Sequence, residues 1–419
     1  PVHKGPPQAA ILAMTSLILQ SIDERTRADS EPNNEVEDRL LSSMQIVIVD
    51  DRCTDGSIDE MINSAKDLTS SHNDVHLVVK DLRKDDALQE DNRCDYINVS
   101  KLIAVAIEVI SSPRQGIASA LNYGLEHCRA DLVARMDADD VCAKNRLVSQ
   151  MRFMLVNSSF AVVGSSAVLF SDDCKPDILP YSIGTGTSCR NKSTNSGNNT
   201  MRCSLSLSDP GFMAWTMFFS CSIPHPCVVF RKREISNIGG YRECINHCED
   251  YDLWLRVTQW ECRSMMCLPR VGVWHRKHSQ SESSMNSFMQ KKESDLVCFE
   301  AVKNLIGREG KELRLDIVSI LRSPSSTSVK SPKDVDSAAK LLLRMERMFV
   351  HKYSRNLSRQ ETELIKIDCD ARIGELATLQ ISRFGRGIGK NSDVWRVWSD
   401  RCPHLHLERL SLLCNNKTT

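Results

Sequence analysis

Apolar positions in the first 285 residues fall into short unbroken runs, several of which end in acids. The clearest is Gln45-Ile46-Val47-Ile48-Val49, which leads into Asp50-Asp51. An uninterrupted β-branched run of this length predicts a strand buried on both faces, as in a parallel sheet. The polar turn Thr54-Asp55-Gly56 follows, then a helix from about Ser57. A second run, Asp131 to Met136, stops at Asp137, Asp139 and Asp140. Between them, Ser112 to Leu125 places small residues at the opening of a helix. Further on, Ile223 to Arg231 reads as a strand, Gly239-Gly240 as a turn, and Glu249-Asp250 as the start of an amphipathic helix. The stretch nearest to a membrane span, Phe212 to Phe230, is interrupted by Pro224, His225 and Pro226. A spanning helix needs about 20 mainly apolar residues, so this stretch is expected to be helix, turn and core strand.

From about residue 290 the spacing becomes helical. Ser331-Pro332 is a helix start, followed by Ala338, Leu341, Leu342, Met345, Met348 and Phe349 on one face. Ser358-Arg359-Gln360-Glu361 is a capping box, followed by Leu364, Ile367, Ala371 and Leu376. The resulting expectation is a catalytic-type domain over 1–290 and a helical appendage over 291–419. Polar insertions are expected near 24–39, 64–100 and 181–208, with a short strand at Asp74 to Val79 inside the second. The third insertion, rich in Ser, Thr, Asn and Gly, has the composition of a segment without a packed core.

Several of these strand ends carry candidate chemistry. Carboxylates spaced Asp-x-Asp are hard ligands suited to Mg²⁺ or Mn²⁺, and ligands of open α/β sheets sit beyond the carboxyl ends of strands. Asp137 and Asp139 therefore form a candidate cation site for a nucleotide diphosphate. The same acids also fit an ordinary cap or solvated turn. Asp50 and Asp51 are placed to bind a base N–H or a ribose hydroxyl, with a phosphoacceptor site as the minor rival. Small residues at a helix N-terminus can face phosphate oxygens, and Arg114 can pair with a diphosphate. Glu249 and Asp250 fit a base, or a first-turn complement to the helix dipole.

Composition narrows these choices. The 419 residues suggest two or three domains, and 41% hydrophobic with 26% charged residues is ordinary for a globular chain. With 54 basic and 54 acidic residues the formal charge is zero, which gives no support for a nucleic-acid surface. The 17 cysteines include no Cys-x-x-Cys pair, so zinc-ribbon and thioredoxin readings fail. Cys221, Cys227, Cys262 and Cys267 are expected to be buried thiols. Sequons at Asn98, Asn157, Asn191, Asn198, Asn356 and Asn416 matter only in a secretory compartment.

Taken together, the segments Val49 to Ser57, Gln115 to Gly124, Asp137 to Asp140, His225 to Arg256 and Trp274 to His278 resemble the family 2 inverting glycosyltransferases. Their order along the chain is also the family's. Pro1-Val2-His3-Lys4-Gly5 resembles the family's P-V-H-N-G loop, with Lys4 in place of the usual Asn, so a first strand is expected before Pro1. The resemblance covers roughly residues 1 to 285. It implies the GT-A nucleotide-diphospho-sugar transferase fold, an α/β architecture with a mostly parallel central sheet flanked by helices. The pattern is nearest to bacterial, algal or protist enzymes that add hexoses or N-acetylhexosamines, often in β-1,3 linkage.

The activity implied is metal-dependent, inverting transfer of a sugar from a nucleotide diphosphate, commonly UDP, to a hydroxyl. Acceptors in such a family include glycan, lipid, protein or modified RNA. The donor would be bound by Pro1, Val2, His3, Asp50, Asp51, Arg114, Gly116, Asn122, Asp137, Ala138 and Arg276. Mn²⁺ or Mg²⁺ would be held by Asp137, Asp139 and His278. Asp250 would be the base, with Glu249 as alternative, while His225 and Pro226 would shape the acceptor pocket. Two rivals are a non-catalytic glycosyltransferase-like scaffold and a nucleotidyltransferase or phosphohydrolase. A scaffold has no need of a base, and the Glu249-to-Trp254 pattern favours sugar transfer.

Overall fold

The computed structural model describes residues 43–70, 75–83, 103–143, 145–171, 202–203, 209–277, 286–307, 312–325, 328–385 and 392–402. The expectations for Pro1, Val2, His3 and His278, and for most of the three insertions, lie outside these residues. In chain order the elements are β1 (Ser43–Asp50), α1 (Ser57–Ser70), β2 (Val75–Asp81), β3 (Ile103–Ser111), α2 (Ile117–His127), β4 (Leu132–Ala134) and β5 (Val141–Cys142). Next come α3 (Arg146–Val156), β6 (Val162–Ser171), β7 (Arg202–Cys203), α4 (Pro210–Thr216), β8 (Val229–Arg231), α5 (Lys232–Asn237), α6 (Glu249–Trp260) and β9 (Met265–Lys277). Among the described residues five helices follow: α7 (Ser287–Ile306), α8 (Leu315–Arg322), α9 (Pro332–Lys352), α10 (Arg359–Phe384) and α11 (Asp393–Arg401).

The contacts divide the chain into two units. One comprises Pro1–Ser208, Ile223–Leu253 and Ser264–Ser287; the other comprises Asp209–Ser222, Trp254–Arg263 and Phe288–Thr419. The helical unit thus includes two earlier segments that the sequence reading assigned to the first domain.

The first unit is α/β. Strands β1, β3 and β2 form a parallel sheet in that order, with β1 in register from Ser43 opposite Ala104 to Asp50 opposite Ser111. A mixed sheet runs β4-β8-β6-β9-β5, with β7 on β6. In it only β6 and β9 pair in parallel. The alternation in β1 explains why its run is unbroken. Ile48 packs with Ile58, Met61, Ile62 and Ala65 of α1, while Val49 packs with Ile110 and with Ala120 of α2. Each such side chain buried contributes about 1.5–3 kcal/mol. Removing β-branched residues from either set would expose one helix face to a void.

The helical unit is built as the capping signals predict. Ser331 and Asp334 form a reciprocal box at α9, as do Ser358 and Glu361 at α10. Trp215 is fully buried, donates Nε1–H to Asp368 at 2.7 Å, and meets Phe349 edge-on at 5.6 Å. Arg372 lies 3.7 Å over the Phe219 ring and also donates to Asp368. Phe212 to Phe230 is helix, turn and strand, as its prolines require. Among the described residues no helix is long and apolar enough to cross a membrane. Cys227, Cys262 and Cys267 are buried thiols, but Cys221 is exposed. It stands in the irregular stretch after α4.

Candidate active site

The acidic segment is held in place by a buried polar clamp. The Arg135 N–H donates to the Val228 carbonyl at 3.0 Å, continuing the β4–β8 pairing. The Arg135 carbonyl accepts from Arg146 Nη2 at 2.7 Å. Arg146 is 1% exposed; it also donates to the Val228 carbonyl at 3.2 Å and to Gln150 Oε1 at 3.1 Å. Gln150 in turn donates to the carbonyls of Cys227 and Val163 at 2.7 and 3.2 Å. Buried donors and acceptors must be paired, and here α3 supplies the partners that the short strand β4 lacks.

Beyond the clamp the chain turns back on itself, with the Asp140 N–H donating to the Asp137 carbonyl at 3.3 Å. Asp140 is fully buried. Both its oxygens lie 3.0 Å from Nδ1 of His275, and it accepts from the Arg276 N–H at 2.9 Å. Burial works against the His275 charge, yet the Asp140 bond outweighs it and raises the imidazole to about 9. Burial pushes Asp140 up to about 6 in spite of that partner. At neutral pH the two therefore form an ion pair. Asp137 bonds Arg135 Nη2 at 2.5 Å; against the effect of burial, Arg135 and His275 hold its carboxyl at about 2. Asp137, Asp140 and His275 each offer a ligand atom within 4.8 Å of the others. The Asp139 side chain is not in that group, although its carbonyl accepts from Arg276 Nε at 3.1 Å.

On the other side stand the acids that open α6. Glu249 is 6% exposed and lies 3.9 Å from His225 Nδ1. The other His225 nitrogen is 2.8 Å from the Tyr241 hydroxyl. Burial, reinforced by the Arg135 charge, depresses His225 far below its usual range, so the imidazole is neutral. Burial pushes Asp250 up, opposed by the Tyr251 N–H at 2.7 Å and by Arg135. The Arg135 guanidinium keeps its charge against burial because Asp137 is bonded to it and Tyr241 and Glu249 add to the field.

The other expected donor contacts are only partly assembled. Asp50 accepts from the Cys53 N–H at 2.8 Å, and its other oxygen is 3.9 Å from Arg83. Asp51 accepts from the Gly116 N–H at 3.2 Å, while its Oδ1 is buried without a hydrogen bond. Arg114 is exposed and pairs with Glu243 at 2.7 Å. Ala138 packs beside the α1 core. Asn122 serves a different purpose from the one expected. Its amide donates to the Tyr241 carbonyl at 2.8 Å and its oxygen accepts from the Tyr241 N–H at 2.9 Å. Gly240 has φ 62°, and a Cβ there would lie 2.7 Å from Asn122 Oδ1, so glycine is needed for both the turn and this approach.

The sequence pattern described as Glycosyl transferase family 2 matches residues 95–219, a span that includes Arg135 and the Asp137–Asp140 turn. The bifunctional glycosyltransferase pgtA of Dictyostelium discoideum is 27% identical over 334 residues, covering 73% of this chain and 42% of that protein. Residues 95–219 thus carry a glycosyl transferase family 2 domain. Amylovoran biosynthesis glycosyltransferase AmsE of Erwinia amylovora is 29% identical over 39% of this chain and 50% of its own length. The UDP-Gal:alpha-D-GlcNAc-diphosphoundecaprenol beta-1,3-galactosyltransferase of Escherichia coli is 30% identical over 34% of the chain and 42% of its own. The chain thus spans about half the length of these curated relatives. A mannosyltransferase from Pyrobaculum calidifontis, solved with GDP-Man and Mn²⁺, is a looser likeness. Its TM-score is 0.36 and its identity 12%, over 91% of this chain and 84% of that one.

The His275–Asp140 pair, Arg135 and the Arg146 clamp escaped the sequence reading. The signal for the first was present, since Asp140 ends the acid triplet and His275 stands in the same segment as His278.

Proposed function

We propose that this chain moves a hexose or N-acetylhexosamine from a nucleotide-diphosphate sugar, a UDP-sugar first among them, to an acceptor hydroxyl. Transfer is by a single displacement that inverts the anomeric carbon. The observation that carries this reading is the convergence of Asp137, Asp140 and His275 beside two acids, buried Glu249 and half-buried Asp250, under the field of one guanidinium. The name of the Escherichia coli relative supports a UDP-hexose donor.

Two carboxylates and an imidazole are a donor set that suits Mn²⁺, and Mg²⁺ less well. In this reading Asp137, Asp140 and His275 would hold the cation, the imidazole giving up its proton to do so, beside the expected set of Asp137, Asp139 and His278, of which His278 lies outside the described residues. The cation supplies charge neutralisation to the leaving diphosphate. Arg276, bonded to the Asp139 carbonyl and the Asp140 carboxylate, fixes the rim of that site. Asp50, Asp51 and the Gly116 N–H bind the nucleoside. Asp250 takes the acceptor proton, and its upward shift by burial brings it nearer the operating pH, as a general base requires. Neutral His225, bonded to Tyr241, orients Glu249 beside it.

The test is release of nucleoside diphosphate from a panel of sugar nucleotides with Mn²⁺. One donor is expected to be turned over. Asp250→Asn should lower turnover by about 10²–10⁴-fold with donor binding kept, and Asp137→Asn should remove metal dependence. Release of inorganic phosphate or pyrophosphate, or none from any donor, refutes the reading.

A further inference from the structure

Arg135 is an arginine where β4 needs only an extended residue, and its side chain is 7% exposed. Its main chain is already anchored on both sides, by Val228 and by Arg146. The guanidinium spends one nitrogen on Asp137 at 2.5 Å. Its Nε and Nη1 are buried and have no hydrogen-bond partner among the described residues. Such donors are costly to leave unmade, by about 1–3 kcal/mol each, so the fold alone gives no reason for them. Arg135 shares a cleft of about 290 Å³ with Asp137, Ala138 and Tyr241. From Tyr241 the contacts continue to His225 at 2.8 Å and on to Glu249 at 3.9 Å. Asp137 and the Glu249–Asp250 pair both lie within the electrostatic reach of this one guanidinium.

We propose that Arg135 is a positioning residue for the transfer, its rigid fork fixing Asp137 relative to the Glu249–Asp250 pair. This rests on the transferase reading above. The planar guanidinium holds the Asp137 carboxylate through Nη2 and keeps Nε and Nη1 rigidly placed beside it, which the point charge of lysine does not. Its field acts on both acids of the pair and on Asp137. A misplacement on the order of 1 Å between reacting groups costs roughly a hundredfold in rate.

The experiment compares Arg135→Lys and Arg135→Gln with the unchanged chain for Tm, donor dissociation constant, donor KM and kcat. Arg135→Lys keeps the buried charge and should melt within about 3 °C of the unchanged chain. It should bind donor within about threefold but turn over roughly thirty- to a hundredfold more slowly. Arg135→Gln should be slower still, with a lower Tm. Turnover of Arg135→Lys within about twofold of the unchanged chain overturns the positioning role. So does a fall of Tm by more than about 10 °C, or an equal loss of affinity and turnover, since each marks a counterion for folding. An unchanged chain that releases no nucleoside diphosphate overturns the transferase reading and this role with it.

Discussion

Replacing Asp140 by Asn is the sharpest probe of the buried ion pair. The substitution keeps the side-chain shape and an oxygen for the Arg276 N–H, but removes the charge that both His275 contacts use. Burial by itself lowers a histidine; the rise of His275 to about 9 is due to Asp140 first, then to Asp137 and Asp139. Without Asp140 the imidazole should titrate at or below its ordinary value of about 6.5, a fall of two units or more. The sign of the stability effect follows from linkage. A raised histidine contributes stability fully present below about 6.5, which is lost as pH rises through about 9. Asp140 itself is raised to about 6, so its burial offsets part of that gain above pH 6. A net loss of about 1–2 kcal/mol is therefore expected near neutrality, less than the 3–5 typical of breaking a fully buried pair, because His275 can shed its proton. The assay is the His275 ring shift by NMR from pH 5 to 10, together with urea unfolding at pH 7.5 and 10. The difference between the two proteins should shrink at the higher pH. An imidazole in Asp140→Asn that still titrates above 8, or a stability difference that does not change with pH, would refute the argument.

Gly272→Ala should be strongly destabilising, since the new Cβ would stand 1.9 Å from Ser165 Oγ and 2.8 Å from its Cβ. A cost of about 3 kcal/mol is expected, and adding Ser165→Gly should recover most of it in a thermal melt. Glu361→Ala removes the acceptor of the Ser358 and Gly211 N–H groups, at 2.8 Å each, and the partner of Arg263. It should lower stability of the helical unit by about 3 kcal/mol, read as earlier loss of far-UV circular dichroism in urea, while Glu361→Gln loses less.

The legible parts of this chain are those whose cause is local. The β1 run was readable because Ile48 and Val49 meet different helices, which leaves no polar position from Ile46 to Val49. The boxes at Ser331 and Ser358 were readable because four residues contain the whole motif. The division into units was less legible, because α4 and the later part of α6 join the helical unit through contacts far along the chain. In the site, Asp137 and the Glu249–Asp250 pair stood out as acids at element ends. Asp140 was hidden because its partner lies 135 residues away, across the β5–β9 pairing. Asn122 has the residue type of a ligand contact, yet its amide closes on the Tyr241 backbone, a use that no spacing rule announces.

The grip of Arg146 and Gln150 falls on carbonyl groups, those of Arg135, Cys227, Val228 and Val163. A carbonyl is the same whatever side chain its residue bears. The frame beneath the acids is therefore indifferent to the identities of the residues it holds. A substitution at 135 therefore changes what faces the cleft while the path of the main chain persists, whereas those at 227 and 228 change only the core behind it.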